Sequence, residues 1–271
     1  MERKWELITY GGGTPRWRMA AARLARQART MRAFGKVTAF TDYRLARECA
    51  DFRNACLPYM MEHRRGNGYW LWKPFLLRKA LAALGAGSPG VLYLDAGCEL
   101  NWNLRARTRF WSYCDVAEEM GFLGMALASD LQQWCKSDVL AHHGLTERAA
   151  QIPLTAGGIL FVANSAGGRE AIDEWWSSCN AKNKHHLDDS ASSGREHGRF
   201  RAHRHDQAIL SCIVAKRGLH TIPDETYHAP DWHLHGTDYP IWALRNSLPM
   251  SIKPGSFGKS LSRLRDVGRG G

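Results

Sequence analysis

A chain of 271 residues can bury a full core, and its apolar fraction of 44% argues against global disorder. No apolar run approaches the roughly 18–20 residues that span a bilayer, and the chain enters Trp5-Glu6-Leu7-Ile8-Thr9-Tyr10 without a leader-like segment, so a cytoplasmic protein is expected, with peripheral contact at the inner face of the membrane as an option. The formal net charge of +11 favours anionic partners, but the basic residues are spread along the chain and not gathered in one block, so no specific nucleic acid is expected.

In chain order, residues 6–10 read as a strand, followed by the turn Gly11-Gly12-Gly13-Thr14-Pro15. Residues 16–31 are rich in Ala, Arg and Leu, with Trp17, Ala21, Leu24, Ala28 and Met31 at helical spacing. Residues 36–42 form a second strand that ends in an acid, and residues 43–51 read as helix. Residues 69–84 read as a helix that opens at Lys73-Pro74, because proline is tolerated in a first helical turn. After a turn, Val91-Leu92-Tyr93-Leu94 is a short apolar run that ends on Asp95-Ala96-Gly97-Cys98-Glu99. Such a run fits a buried parallel strand, and its end is where an α/β sheet places ligand chemistry. The alternation of strand and helix predicts a doubly wound, mostly parallel sheet flanked by helices.

The second half is less regular. Residues 121–127 read as a strand, and residues 154–164 as a glycine-led approach into a buried one. A helix is expected over 170–179, carrying Trp175 and Trp176, and another over 206–217. Between them, residues 180–205 are polar and rich in His, Ser, Asp and Arg, the composition of a lid or binding loop. One catalytic domain is expected over residues 1–250, with a basic tail over 251–271. The seven cysteines are scattered without a C-x-x-C pair, so reduced, buried thiols are expected.

Three segments carry a family resemblance. Gly66-Asn67-Gly68-Tyr69-Trp70-Leu71-Trp72-Lys73-Pro74, the strand ending at Asp95, and His203-Arg204-His205-Asp206-Gln207 together resemble a bacterial branch of the nucleotide-sugar glycosyltransferases with a GT-A fold. The elements run in that group's order from about residue 8 to about residue 218, through the Gly157-Gly158 strand and the Trp175-Trp176 helix. The resemblance implies a GT-A-like, Rossmann-related α/β domain and sugar transfer in polysaccharide biosynthesis. The donor would be a nucleoside-diphosphate sugar, a UDP-sugar, and the acceptor a glycan or lipid-linked precursor. It further implies Asp95 and Asp206 as catalytic groups. Thr9, Tyr10, Gly11, Trp72, Lys73, Gly157, Arg204 and Gln207 would be substrate-binding groups.

The chemistry of such a reaction asks for a charge stabiliser, because the departing diphosphate gains negative charge; Mn2+ or Mg2+ bridging its oxygens is the usual one. Asp95 is placed to hold that ion, as the first polar residue beyond a buried strand. The sequence departs from the family's D-x-D pattern, with Gly97 where the second acid stands, so Glu99 is the expected substitute. His233, in an H-x-x-G spacing that resembles a C-terminal histidine element of some family members, is the third candidate ligand. Each residue has a plain structural alternative: Asp95 and Asp206 as helix caps, Lys73 and Glu99 as solvated charges, His233 as a loop histidine. Two other function classes stay open. A nucleotidyltransferase needs a Gly-rich, basic loop after the first strand, which residues 11–18 partly imitate; a non-enzymatic basic module would bind nucleic acid or anionic membrane.

Overall fold

Alternation within short apolar runs decides which side of the sheet each residue covers. In β1 (Glu6–Gly11), Leu7 faces one core while Ile8 and Tyr10 face the other. β2 (Lys36–Thr41) pairs in parallel with β1, and so does β3 (Gly90–Leu94) on the opposite side. β1 thus lies between two strands reached in opposite directions, a switch point of the kind beside which an open α/β sheet places its ligands. Asp95 is the first residue beyond β3.

The rest of the sheet runs differently. β4 (Glu99–Leu100) leaves the sheet to make a small ribbon. β5 (Phe122–Asp130), β6 (Pro153–Thr155) and β7 (Ile159–Ala163) are joined by antiparallel pairs, with β7 antiparallel to β3. β8 (Thr221–Pro223) adds in parallel to β5, and β9 (Ile241–Trp242) pairs with β4. The order β2-β1-β3-β7-β5-β6 gives a mixed sheet whose parallel part is its N-terminal half plus β8. The α/β class is the expected one. The reversal at β7 comes from residues 95–158, which form no single crossover helix between two parallel strands.

The computed structural model describes residues 4–85, 87–226 and 229–251. The expected basic tail beyond Ser251 lies outside the described residues.

Helices cover both faces. The Pro15–Met31 helix starts where Thr14 caps Trp17 N–H and Pro15 occupies the first turn. It and the Leu104–Met120 helix bury Leu24, Ala28, Phe110, Tyr113, Cys114 and Ala117 against Leu7, Leu92, Leu94 and Phe161. The second helix lies in a stretch where the sequence reading assigned no element. Its signals are Asn103 as N-cap, Gly121 at the left-handed end, and Ala106, Phe110, Tyr113 and Ala117 on one stripe. The opposite face is covered by the Trp72–Ala82, Ala166–Cys179 and His205–Arg217 helices, through Leu76, Leu77, Ile172, Trp175, Ile209 and Ile213. All seven cysteines are free and buried. Among the described residues no helix is long and apolar enough to cross a membrane.

Residues 180–205 are tied to the body. A short 3-10 helix covers Ala181–His186. Beyond it, Leu187 is fully buried, and the buried Lys136 ammonium donates to the carbonyls of Asp188 and Ser190. Arg65 pairs with Asp189, Ser137 N–H donates to Glu196, and Ser193 donates to Asp138. Polar composition here reflects side chains bonding to each other, so a swinging lid has to break this network first.

Candidate active site

Three elements converge just beyond the end of β3. The start of the Trp72–Ala82 helix supplies Lys73, the end of β3 supplies Asp95, and the start of the His205–Arg217 helix supplies Asp206. The Lys73 ammonium lies 3.2 Å from Asp206 Oδ2 and 3.4 Å from Asp95 Oδ1, and donates to the Gly157 carbonyl at 2.9 Å. Tyr93, two residues before Asp95 and on the same side of the strand, donates its hydroxyl to Asp95 Oδ1 at 2.5 Å. Both donors use Oδ1. Asp95 Oδ2 has no hydrogen-bond partner among the described residues, and only a glycine at 158 leaves it room: a Cβ there would lie 2.6 Å from it.

The two carboxylates differ in access. The Asp95 side chain is 44% exposed, whereas that of Asp206 is 4% exposed. Burial, with the like charge of Asp95, pushes the Asp206 carboxyl up to about 6 against the pull of Lys73. Burial alone would lower the Lys73 ammonium, but the charges of Asp206 and Asp95 overcome it and hold its pKa above the ordinary lysine value. Lys73 is therefore a fixed cation and not a proton donor at neutral pH. Burial, then the charge of Asp95, pushes Tyr93 well above the usual phenol value, so it stays a hydroxyl donor.

The supports are local and strained. Asn67, Tyr69 and Trp70 have φ of 53°, 48° and 61°, left-handed values that a non-glycine residue adopts only when its surroundings compel it. The Tyr69 and Trp70 rings rest 4.7 and 5.6 Å from that of His205, itself at φ 51°, so the turn before Lys73 braces the residue before Asp206. Trp175 Nε1 donates to the Asp206 backbone carbonyl at 2.9 Å.

Asp95 opens into a cleft of about 380 Å³, the size of a small-molecule site. Gly157, Arg204, Gln207, Asp224 and Arg245 also line it. Arg204 stacks its guanidinium 4.2 Å from the centroid of Trp134. Gln207 donates to the Thr155 carbonyl, and Asp224 accepts from the Thr226 N–H and hydroxyl.

Other expected site residues lie elsewhere. Thr9 and Tyr10 are buried; the Tyr10 ring stacks 4.0 Å from Trp72, and both belong to the core. Trp72 therefore offers no face to a sugar. Gly11 is a packing glycine, since a Cβ there would meet the Trp17 carbonyl oxygen at 2.2 Å. The loop after β1 is also spent internally: Gly13 N–H donates to Asp42, and Arg18 forms a bidentate pair with Asp42. A phosphate-binding loop needs those donors free, which counts against the nucleotidyltransferase alternative.

The expected metal donors are not assembled. Glu99 is 2% exposed inside the β4–β9 ribbon, and its Oε1 accepts from Asn246 Nδ2 at 2.5 Å. His233 is exposed on the Trp232–His235 helix, outside the cleft lining. Among the described residues no three His, Cys, Asp or Glu side chains converge to hold a metal ion. Asp95 instead faces the ammonium of Lys73, which occupies the space between the two carboxylates. This donor set does not fit the Mn2+ or Mg2+ expected from the sequence. Nothing local in Cys98-Glu99-Leu100 announces a two-residue strand with Glu99 facing inward.

Sequence reasoning also missed Tyr93 and Arg245. The period of β3 puts Tyr93 beside Asp95, so that contact was legible. Arg245 carries no motif.

No family model matches this chain, and no curated protein matches it. Among solved structures, it is similar to a glycosyltransferase involved in glycosylation of the major capsid of PBCV-1, at 11% identity, a TM-score of 0.44, and 88% of this chain and 91% of that one. It is similar to mouse xyloside xylosyltransferase 1 in its apo form, at 12% identity, a TM-score of 0.46, and coverage of 92% and 100%. It is also similar to the galactosyltransferase LgtC in complex with donor and acceptor sugar analogues, at 11% identity, a TM-score of 0.47, and coverage of 97% and 94%.

Proposed function

We propose that this cleft transfers a sugar from a nucleoside-diphosphate sugar, a UDP-sugar, to a hydroxyl of a glycan or lipid-linked acceptor. The observation that carries the reading is Asp95: a carboxylate oriented through Oδ1 by Lys73 and Tyr93, with Oδ2 free, in a cleft rimmed by arginines. The motif resemblance of the Trp70–Pro74, Asp95 and Arg204–Gln207 segments points the same way.

In this reading the acceptor oxygen bonds to the anomeric carbon as the bond from that carbon to the diphosphate oxygen breaks. The electron pair leaves with the diphosphate, and the acceptor's proton passes to Asp95 Oδ2. Lys73 and Tyr93 hold the carboxylate in place, and Asp206 fixes Lys73 without touching the substrate. Gln207 and the Gly157 backbone border the sugar. Transfer to a lipid-linked acceptor would bring the protein to the inner face of a membrane, where its positive charge favours anionic headgroups.

A thermal-shift panel of UDP-, GDP- and CMP-sugars tests the reading, followed by measurement of nucleotide release. UDP-sugars are expected to raise Tm and to yield UDP. A panel in which no nucleotide sugar raises Tm or is consumed would overturn it.

A further inference from the structure

Gly97 lies directly beneath the backbone of Arg245. A Cβ on Gly97 would stand 2.8 Å from the Arg245 Cα and 3.1 Å from its carbonyl carbon. These are backbone atoms, which cannot swing aside as the tip of a side chain can. The two segments are also locked together. Asn246 N–H donates to the Gly97 carbonyl at 2.9 Å. The buried Arg23 guanidinium donates to the carbonyls of Ala96 and Cys98 on one side and of Asn246 and Leu248 on the other. No acid fits at position 97, and the side chain delivered to the cleft by that approach is an arginine.

Arg245 holds φ 53°, a strained conformation for a non-glycine residue, and this exposed arginine lines the cleft with Arg204. Among the described residues neither guanidinium has a carboxylate partner. Most other arginines with a structural role do: Arg18 pairs with Asp42, Arg109 with Glu225, and Arg217 with Glu174. Arg204 is fixed in plane by Trp134. Burial and then the charge of Arg245 depress the Arg204 pKa, so the two cations feel each other across the cleft. Two arginines that repel each other, on a cleft whose Asp95 is already held by Lys73 and Tyr93 and whose Asp224 accepts from Thr226, match an anion of two linked phosphates.

We infer that Arg204 and Arg245 form a metal-independent clamp for the diphosphate of the donor, Arg245 standing where the family pattern places a metal-binding acid. This rests on the nucleotide-sugar reading above. As the glycosidic carbon–oxygen bond breaks and its electron pair moves to the diphosphate, the guanidinium N–H groups donate to the oxygens that gain charge. The charge balance that a divalent ion would supply is carried by side chains.

The test uses the full chain with inorganic pyrophosphate and UDP as probes, by titration calorimetry in EDTA and in Mn2+. Both probes are expected to bind equally well in EDTA. Arg245→Asn, chosen because asparagine tolerates the left-handed backbone, is expected to weaken both by about tenfold or more at unchanged Tm. Arg204→Gln should do the same. Binding abolished by EDTA and restored by Mn2+, no binding of either probe, or undiminished binding by Arg245→Asn would each overturn the clamp. Turnover separates the two ideas. Metal-free pyrophosphate binding lost in Arg245→Asn, with no nucleotide sugar consumed, keeps the clamp and sinks the transferase reading. Sugar transfer that strictly requires Mn2+ does the reverse.

Discussion

The Lys73 ammonium sits 3.2 Å from Asp206 Oδ2, and each side chain is only 4% exposed. A buried pair of this kind is costly to break, because the survivor stays charged without a partner. Lys73→Met removes the charge that opposes the upward push on Asp206, so the Asp206 carboxyl climbs further above about 6. A carboxyl raised in the folded state stabilises fully below its unfolded pKa, and that contribution is lost as pH rises through the folded value. The variant is therefore expected to lose about 3–5 kcal/mol at pH 8 and clearly less at pH 5, where Asp206 takes up a proton. Urea denaturation at both pH values measures this; an equal loss at both would show that Asp206 does not titrate as described.

Asp95→Asn keeps the shape and the Tyr93 contact but removes the proton acceptor. Turnover is expected to fall by about 10²-fold or more, with a much smaller change in donor KM. Near-normal kcat in the folded variant would end the role assigned to Asp95.

Gly97→Asp restores the acid that the family pattern contains. Its Cβ meets the Arg245 backbone, so overpacking should cost about 1–3 kcal/mol. Calorimetry should find no gain in Mn2+ affinity over the parent chain. A stable variant that binds Mn2+ tightly would mean the two segments part easily.

Arg23 bridges the Asp95–Cys98 turn and the C-terminal segment through four carbonyls, at 2.8–2.9 Å. Arg23→Met leaves those acceptors buried without donors and should destabilise by about 3 kcal/mol or more. Pyrophosphate affinity should fall with it, because Arg245 loses its placement. Denaturant midpoints and calorimetry on the same sample check both halves.

His143, His186 and His203 are buried, and burial holds their pKa values down at about 4, 4 and 3. A histidine depressed in the folded state stabilises above its unfolded pKa and loses that contribution as pH falls toward the folded value. Between pH 6.5 and 4 these three groups oppose folding more strongly as acid is added, against the opposite contribution of Asp206. Neither ring nitrogen of His143 has a hydrogen-bond partner among the described residues. His143→Leu should therefore flatten the fall in Tm between pH 7 and pH 5. An unchanged slope would remove His143 from the acid response.

Local patterns gave Lys73, Asp95 and Asp206 as neighbours of element ends: Pro74 opens a helix, Asp95 follows an apolar run, Asp206 begins a periodic stretch. Those signals are short-range, because strand period and helix starts are set within a few residues. The α/β class followed from their alternation. The same local logic could not say that Trp72 packs on Tyr10 or that Glu99 turns inward, since an aromatic or acid has the same sequence signature on either side of a surface. It also gave residues 180–205 the look of a free loop, where hydrogen bonds from Lys136, Ser137 and Arg65 pin the segment down.

The sequence by itself thus determined where the Asp95 carboxylate emerges, at the end of the third strand, and how strand and helix alternate up to it. Only the tertiary structure decided what surrounds that carboxylate. Lys73 reaches it because the Trp72–Ala82 helix packs across β3, and Arg245 comes to line the same cleft because β9 returns to pair with β4. Both contacts join residues distant in the chain. Their energy comes from packing and from carbonyls satisfied by Arg23, and neither leaves a trace in the residues next to Gly97.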